Sequence, residues 1–316
     1  MTFEEFWQPL QAVYDRGEAK AIARLAMEMA YGLTLTDIVS GQVQTLDEEP
    51  LLAIRQRLMT GEPVQYVLGK AYFGNRLFSV CYNVLIPRPE TFELCRLVIA
   101  NYELRMTNSE FGIRNSEFGF RNSAFGTTYI LDIGTGSGCI AVTLAAELPQ
   151  ARVTAWDVSQ EALNIAKENA TSHHVDVTFE QVDILAPCRR GFAIPAPTNV
   201  GGNLQSVGRD LQSHPWDIIV SNPPYICQCE RAGMEANVLE HEPELALFVP
   251  DDDPLLFYRS IARYAQHALA PDGLLFFEIN PVYAGALEEL LHSMGFIHTE
   301  MRKDQFGKER FICTYR

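Results

Sequence analysis

A run of β-forming residues, Tyr129-Ile130-Leu131-Asp132, passes directly into Ile133-Gly134-Thr135-Gly136-Ser137-Gly138, and a stretch rich in Ala and Leu begins at Cys139. Few features constrain a chain as strongly as a strand that turns into a helix through alternate glycines. Glycines let the backbone take left-handed conformations and approach a ligand closely, and open α/β folds bind ligands at the carboxyl ends of their strands. The turn therefore marks a binding site. A dinucleotide fingerprint needs its third glycine one place later, where this chain has Cys139, so the spacing of Gly134, Gly136 and Gly138 points away from a pyrophosphate ligand.

The surrounding pattern agrees with an α/β fold. Strand-like segments at 129–132, 152–157, 177–183, 217–221 and 274–279 have helical segments between most of them, which predicts a parallel sheet covered by helices on both faces. Segments 296–301 and 310–315 suit a closing antiparallel hairpin. Residues 1–66 differ. Phe3, Phe6, Leu10 and Val13, then Ile22, Leu25 and Met29, recur at three- and four-residue spacing, the pattern of a small helical domain that either only packs or shapes a substrate entrance.

Between these parts, the β-rich pieces Tyr72-Phe73, Leu77-Phe78-Ser79-Val80 and Val84-Leu85-Ile86, punctuated by Gly74-Asn75 and Asn83, predict a β-hairpin linker over 67–88. Pro87 and Pro89 then fix an extended path, and Thr91 is placed to cap a helix through Leu94, Leu97 and Val98. Two segments fit no element. Residues 108–126 hold three tandem copies of an Asn-Ser-Glu/Ala-Phe-Gly unit, too few and too polar for a solenoid, and 187–215 is rich in Gly, Pro, Asn and Ser. Both read as surface insertions, near 105–127 and 187–215, in a main domain of 89–316.

The chain's 316 residues, 47% of them hydrophobic, suffice for a core and an accessory domain. A formal charge of -15 disfavours a dedicated nucleic-acid binder, because such a surface repels phosphate backbones. The first residues lack a basic start followed by an apolar run, and no uncharged stretch of about 18 apolar residues occurs, so a soluble cytoplasmic protein with no membrane partner is expected. The seven cysteines, at 81, 95, 139, 188, 227, 229 and 313, lack paired zinc-site spacing. No metal is expected, and the cysteines read as reduced, mostly buried thiols.

Asp157 ends a strand about twenty residues past the glycines, where an acid commonly accepts hydrogen bonds from ribose hydroxyls. Its other use, capping the next helix, falls more naturally to Ser159. Asp183 ends the following strand and suits an adenine amino group, although a solvated strand end explains it too. The decisive element is Ser221-Asn222-Pro223-Pro224-Tyr225, directly after an apolar strand. An amide or adenine NH2 is a poor nucleophile, since its lone pair is delocalised. If the Asn222 side-chain oxygen and the Pro223 carbonyl each accept one N–H, the nitrogen is drawn toward a tetrahedral shape with its lone pair aimed at an electrophile. Neither Pro223 nor Pro224 has an N–H to compete, and Tyr225 offers a flat face to a planar group.

With these residues assembled, the chain resembles the HemK-type protein-(glutamine-N5) methyltransferases, and among them most resembles those that act on peptide chain release factors. Further matching segments are Gln65-Tyr66-Val67-Leu68-Gly69, Tyr72-Phe73-Gly74, Ile86-Pro87-Arg88-Pro89-Glu90-Thr91 and His241-Glu242-Pro243-Glu244-Leu245-Ala246-Leu247. The resemblance covers nearly the whole chain. It implies a class I, Rossmann-like catalytic domain with a seven-stranded, mostly parallel sheet, an N-terminal helical domain that recognises substrate, and a β-hairpin linker.

It also implies S-adenosylmethionine as cofactor, S-adenosylhomocysteine as product, and as substrate the Gly-Gly-Gln glutamine of class I release factors. By motif, Gly134, Thr135, Gly136, Ser137, Gly138, Asp157, Asp183, Ile184 and Asn222 would line the cofactor site, and Asn222, Pro223, Pro224 and Tyr225 would hold the amide. Ile184 stands where family members often carry an aromatic residue. Alternative readings are a ribosomal-protein glutamine methyltransferase, a nucleic-acid adenine-N6 methyltransferase, for which the chain offers no basic face, and a non-catalytic cofactor-binding module, against which intact Asn222 argues.

Overall fold

The computed structural model describes residues 1–110, 127–186 and 215–315. All of the 108–126 repeat beyond residue 110, and nearly all of the Gly- and Pro-rich stretch 187–215, lie outside the described residues. The chain divides into two compact units, Met1–Ile86 with Ala232–Glu244, and Pro87–Arg231 with Leu245–Arg316.

The first unit is mostly helical, as its periodicity predicts. Helices α1 (Phe3–Trp7), α2 (Arg16–Tyr31), α3 (Leu35–Val39), α4 (Glu48–Leu58) and α5 (Val64–Leu68) enclose Phe6, Leu10, Ala23, Met27, Leu51 and Leu58, all fully buried. Their ends carry explicit stop and start signals. Thr2 and Glu5 form a reciprocal capping box on α1, Asp15 accepts from Gly17 N and Glu18 N at the start of α2, and Gly32 ends α2 at φ 67°.

Strands β1 (Lys70–Phe73) and β2 (Arg76–Ser79) pair antiparallel across a two-residue turn at Gly74-Asn75, the expected hairpin. The third β-rich piece, Val84-Leu85-Ile86, is not a strand. Its backbone groups are taken by side chains instead: Tyr66 OH donates to the Val84 carbonyl at 2.7 Å, and the Glu242 carboxylate accepts from Ile86 N at 3.3 Å.

The second unit carries the seven-stranded sheet. Helix α6 (Pro89–Glu110) begins with Pro89, whose fixed φ suits the first helical position. Thr91 therefore lies inside the first turn and does not cap the helix as expected. The helix also continues through 105–110, the start of the expected insertion. Strands β3 (Thr128–Ile133), β4 (Ala151–Asp157), β5 (Val177–Gln181), β6 (Trp216–Ser221), β9 (Leu269–Glu278), β10 (His298–Lys303) and β11 (Glu309–Tyr315) stand in the order β10-β11-β9-β6-β3-β4-β5. Only β11 runs against its neighbours, β9 and β10. Two short strands missed by the pattern, β7 (Ile226–Cys227) and β8 (Phe248–Val249), form a separate parallel pair.

Helices α7 (Cys139–Glu147) and α8 (Gln160–Ser172) follow β3 and β4. In α7 residues 139–144 are all buried, consistent with a helix apolar around most of its circumference. Ser159 caps α8, accepting from Ala162 N, as expected over Asp157. The core between the sheet and its covering helices includes Leu131, Trp156, Ile219, Tyr258, Leu275 and Phe277. Burying each such large side chain stabilises the fold by about 1.5–3 kcal/mol. Cys95, Cys139 and Cys227 are buried, but Cys229 is exposed and Cys81 and Cys313 are half-buried, so the expectation of mostly buried thiols holds for half of those described. Among the described residues, no helix is long and apolar enough to cross a membrane, and no three His, Cys, Asp or Glu side chains group as a metal site.

Candidate active site

The carboxyl ends of β3 and β6 lie side by side, with Ile133 opposite Ser221. Ser221 Oγ donates to the Ile133 carbonyl at 2.6 Å, tying the two ends together. The glycine turn and the Asn222-Pro223-Pro224-Tyr225 segment therefore leave the sheet from neighbouring strands. Strands β4 and β5 lie to one side of β3, and β6 and β9 to the other. Such a reversal of chain order opens a crevice beyond the strand ends.

In the turn, Gly134, Gly136 and Gly138 take φ of 77°, 55° and 79°, values that L side chains resist. The three glycines do different work. A Cβ on Gly134 or Gly136 would meet no atom within 4 Å, so the turn is an open cradle on that side. A Cβ on Gly138 would lie 2.9 Å from the Ala166 Cβ, so Gly138 lets α7 pack against α8. The Thr135 and Ser137 side chains are buried, and Thr135 donates to Asp132 at 2.6 Å. Asp132 is wholly buried, and burial pushes its carboxyl up to about 7. From α8, Asn169 Nδ2 donates to the Ser137 carbonyl at 2.8 Å and holds the turn from behind.

Asp157 stands at the end of β4 against this turn. Its carboxylate accepts Gly136 N at 2.8 Å and Ser159 N at 2.9 Å. Burial raises its carboxyl above the ordinary value, and these backbone N–H groups offset part of that rise. Val182 N donates to the Asp157 carbonyl at 2.9 Å, and because β5 stops at Gln181, Asp183 lies in the segment just past the strand and not at its end as expected. Asp183 accepts from Leu185 N at 2.8 Å. Ile184 packs into the core and is 8% exposed, so it offers a ligand little surface.

Asn222 is half-buried and Pro223 buried at the head of the corner. Thr91, Glu278 and Asn280 hold it, and the motifs gave none of them this role. Asn222 Nδ2 donates to Thr91 Oγ1 at 3.0 Å, and Thr91 Oγ1 donates to Glu278 Oε2 at 2.7 Å. Glu278 Oε1 accepts from Tyr225 OH at 3.2 Å, and Asn280 Nδ2 donates to the Tyr225 carbonyl at 3.2 Å. Ser221 stands opposite Phe277, so Asn222 and Glu278 come next at the ends of two paired strands. Glu278 is 2% exposed, and burial pushes its carboxyl up to about 7. One signal for it was legible. A lone acid ends the otherwise apolar Leu274-Leu275-Phe276-Phe277-Glu278, where a buried strand meets a ligand crevice.

Similarity to known proteins runs nearly the whole length of the chain. Over 313 residues, 98% of this chain and 97% of the relative, the sequence is 38% identical to the release factor glutamine methyltransferase of Bacteroides thetaiotaomicron. The chain belongs to this family. The corresponding protein of Flavobacterium psychrophilum is 37% identical, with 98% of this chain and 95% of the relative covered. That of Streptococcus pneumoniae is 34% identical, with 89% and 86% covered. A methyltransferase domain family matches residues 130–191, a span that begins in β3 and takes in the glycine turn, Asp157 and Asp183.

Proposed function

We propose that the chain transfers a methyl group from S-adenosylmethionine to the side-chain amide nitrogen of a protein glutamine, that of the Gly-Gly-Gln loop of class I release factors. One observation carries the reading. The Asn222-Pro223 corner leaves β6 beside the cradle of Gly134 and Gly136, with the Asn222 amide nitrogen already engaged by Thr91. The names of the whole-chain relatives support the substrate.

Bound S-adenosylmethionine supplies an electrophilic methyl group carried on a sulfonium. Gly134 to Gly138 would hold it by close backbone approach, Asp157 by accepting from its ribose hydroxyls, and Asp183 with the edge of Ile184 at its adenine end. The chain's own residues prepare the nucleophile. Asn222 Oδ1 and the Pro223 carbonyl each accept one N–H of the glutamine amide, which weakens conjugation and directs the nitrogen lone pair into the crevice. Pro224 stiffens the turn, and the Tyr225 ring backs the planar amide. As the nitrogen gains carbon it becomes acidic and loses one proton to solvent, so the product amide is neutral and no strong base is required.

In the same reading, residues 1–66 recognise the release factor, 67–88 link the domains and 89–316 carry out transfer in the cytoplasm, without direct contact to nucleic acid. The test is incubation with a class I release factor and methyl-labelled cofactor, followed by fragment mass spectrometry. One labelled methyl on the Gly-Gly-Gln glutamine is expected. Label on a ribosomal protein or DNA, with none on the release factor, would reject the substrate.

A further inference from the structure

We propose that Glu278, acting through the hydroxyl of Thr91, is a positioning residue that decides which end of the Asn222 side-chain amide faces the substrate. The inference deepens the proposed function and rests on it for the role of Asn222, but the orientation itself is a property of the protein alone. An asparagine amide is nearly symmetric in shape, with an acceptor oxygen on one arm and a donor NH2 on the other. Its neighbours select the arm. If NH2 faced the crevice, it would oppose the N–H groups of a substrate amide and the corner would repel what it must hold.

The selection follows from a count of protons. Thr91 has one hydroxyl hydrogen. An ionised carboxylate only accepts, so Glu278 Oε2, at 2.7 Å, claims that hydrogen. The Thr91 oxygen is left only with lone pairs, and the group it can accept from is Asn222 Nδ2, at 3.0 Å. Asn222 Oδ1 is thereby the free arm. The second oxygen of the same carboxylate accepts from Tyr225 OH at 3.2 Å, so one buried charge orders both ends of the Asn-Pro-Pro-Tyr corner.

Protonation reverses the logic. A neutral Glu278 can donate to Thr91, whose hydrogen is then free to turn toward Asn222 Oδ1 and draw the amide round. Glu278 is poised for this, since burial pushes its carboxyl up to about 7. Arg310 on β11 favours its charge, while Glu90 on α6 disfavours it. Cys95 on α6, Cys139 on α7, Tyr225 beyond β6 and Tyr258 on the helix Leu256–Ala268 also face it. Arg310 is in turn paired with Asp304 at 3.4 Å. The orientation is therefore held above the Glu278 pKa and lost as pH falls through it.

The test compares wild type with Thr91→Val, which keeps the shape and removes the relay, and Thr91→Ser, which keeps the hydroxyl. For T91V, kcat is expected to fall about 30- to 100-fold, the cost typical of a misaligned reacting group. T91S should retain at least about a third of the wild-type rate, since the hydroxyl is its only requirement. Wild type and T91S should share an acid limb in kcat near pH 7 that is missing from T91V. A merely structural Thr91 would leave that limb in place. Activity of T91V equal to wild type, with the same limb, overturns the relay. The wild-type rate on release factor tests the substrate separately.

A second measurement needs no substrate. The side-chain amide NMR signals of Asn222, assigned by their loss in N222A, should titrate in wild type with a midpoint near the Glu278 value of about 7. Signals that stay still between about pH 5.5 and 8.5, the span over which such a group changes charge, overturn the proposal.

Discussion

Replacing Asn222 by alanine is expected to lower methyl transfer on the order of 10³-fold, the size of effect seen when a positioned polar group at a reacting centre is removed. Cofactor affinity should stay within a few fold. The reason is a division of labour among neighbouring strand ends. The glycine cradle and Asp157 leave β3 and β4, while Asn222 leaves β6 with its nitrogen bound to Thr91. Alanine removes one of two acceptors that make the glutamine nitrogen nucleophilic, and leaves the cradle untouched. Its cost in stability should be small, about 1 kcal/mol for one lost hydrogen bond. Single-turnover kinetics with calorimetric titration of cofactor separate the two effects. Turnover at the wild-type rate would show that Asn222 does not hold the amide.

Replacing Gly138 by valine should destabilise the second unit by about 2–5 kcal/mol, combining a β-branched residue forced into a left-handed conformation with overpacking at a helix contact. Gly138 has φ 79°, and its missing Cβ would meet the Ala166 Cβ at 2.9 Å and Cα at 3.1 Å. Neither atom is the tip of a flexible side chain. The neighbouring Gly134 shares the strained φ of 77° but faces open space, so Gly134→Ala should cost only about 1 kcal/mol, the conformational part alone. Denaturant midpoints of the two variants check the contrast. Equal losses would mean that helix packing plays no part at Gly138.

The legible parts of this molecule are those encoded over short stretches. The alternation of strands and helices, the glycine turn and the corner after β6 each occupy a few consecutive residues. Their local chemistry is enough to place them. Strand order put them together, because a parallel sheet reversing at β3 brings the ends of β3 and β6 side by side.

What escaped the sequence is the support behind the corner. Thr91, Asn222 and Glu278 are far apart in the chain, and no local pattern links them. Thr91 read as a helix cap because a hydroxyl near a helix start usually is one, but Pro89 takes the first helical position and frees the hydroxyl to face Glu278. Val84-Leu85-Ile86 has the composition of a strand, yet Tyr66 and Glu242 bond its backbone instead. In β9 the strand begins earlier than its apolar run, at Leu269. Gly273 permits this, because a Cβ there would lie 3.0 Å from the Trp216 carbonyl. In each case a contact from a distant element overrode the local preference.

The most direct test of the corner is a crystal structure with S-adenosylhomocysteine and a Gly-Gly-Gln peptide bound together. The account predicts the glutamine side-chain nitrogen within hydrogen-bonding distance of both Asn222 Oδ1 and the Pro223 carbonyl, with the cofactor product lying over Gly134 and Gly136. A glutamine amide seated elsewhere, or Asn222 presenting its nitrogen to the substrate, would contradict it.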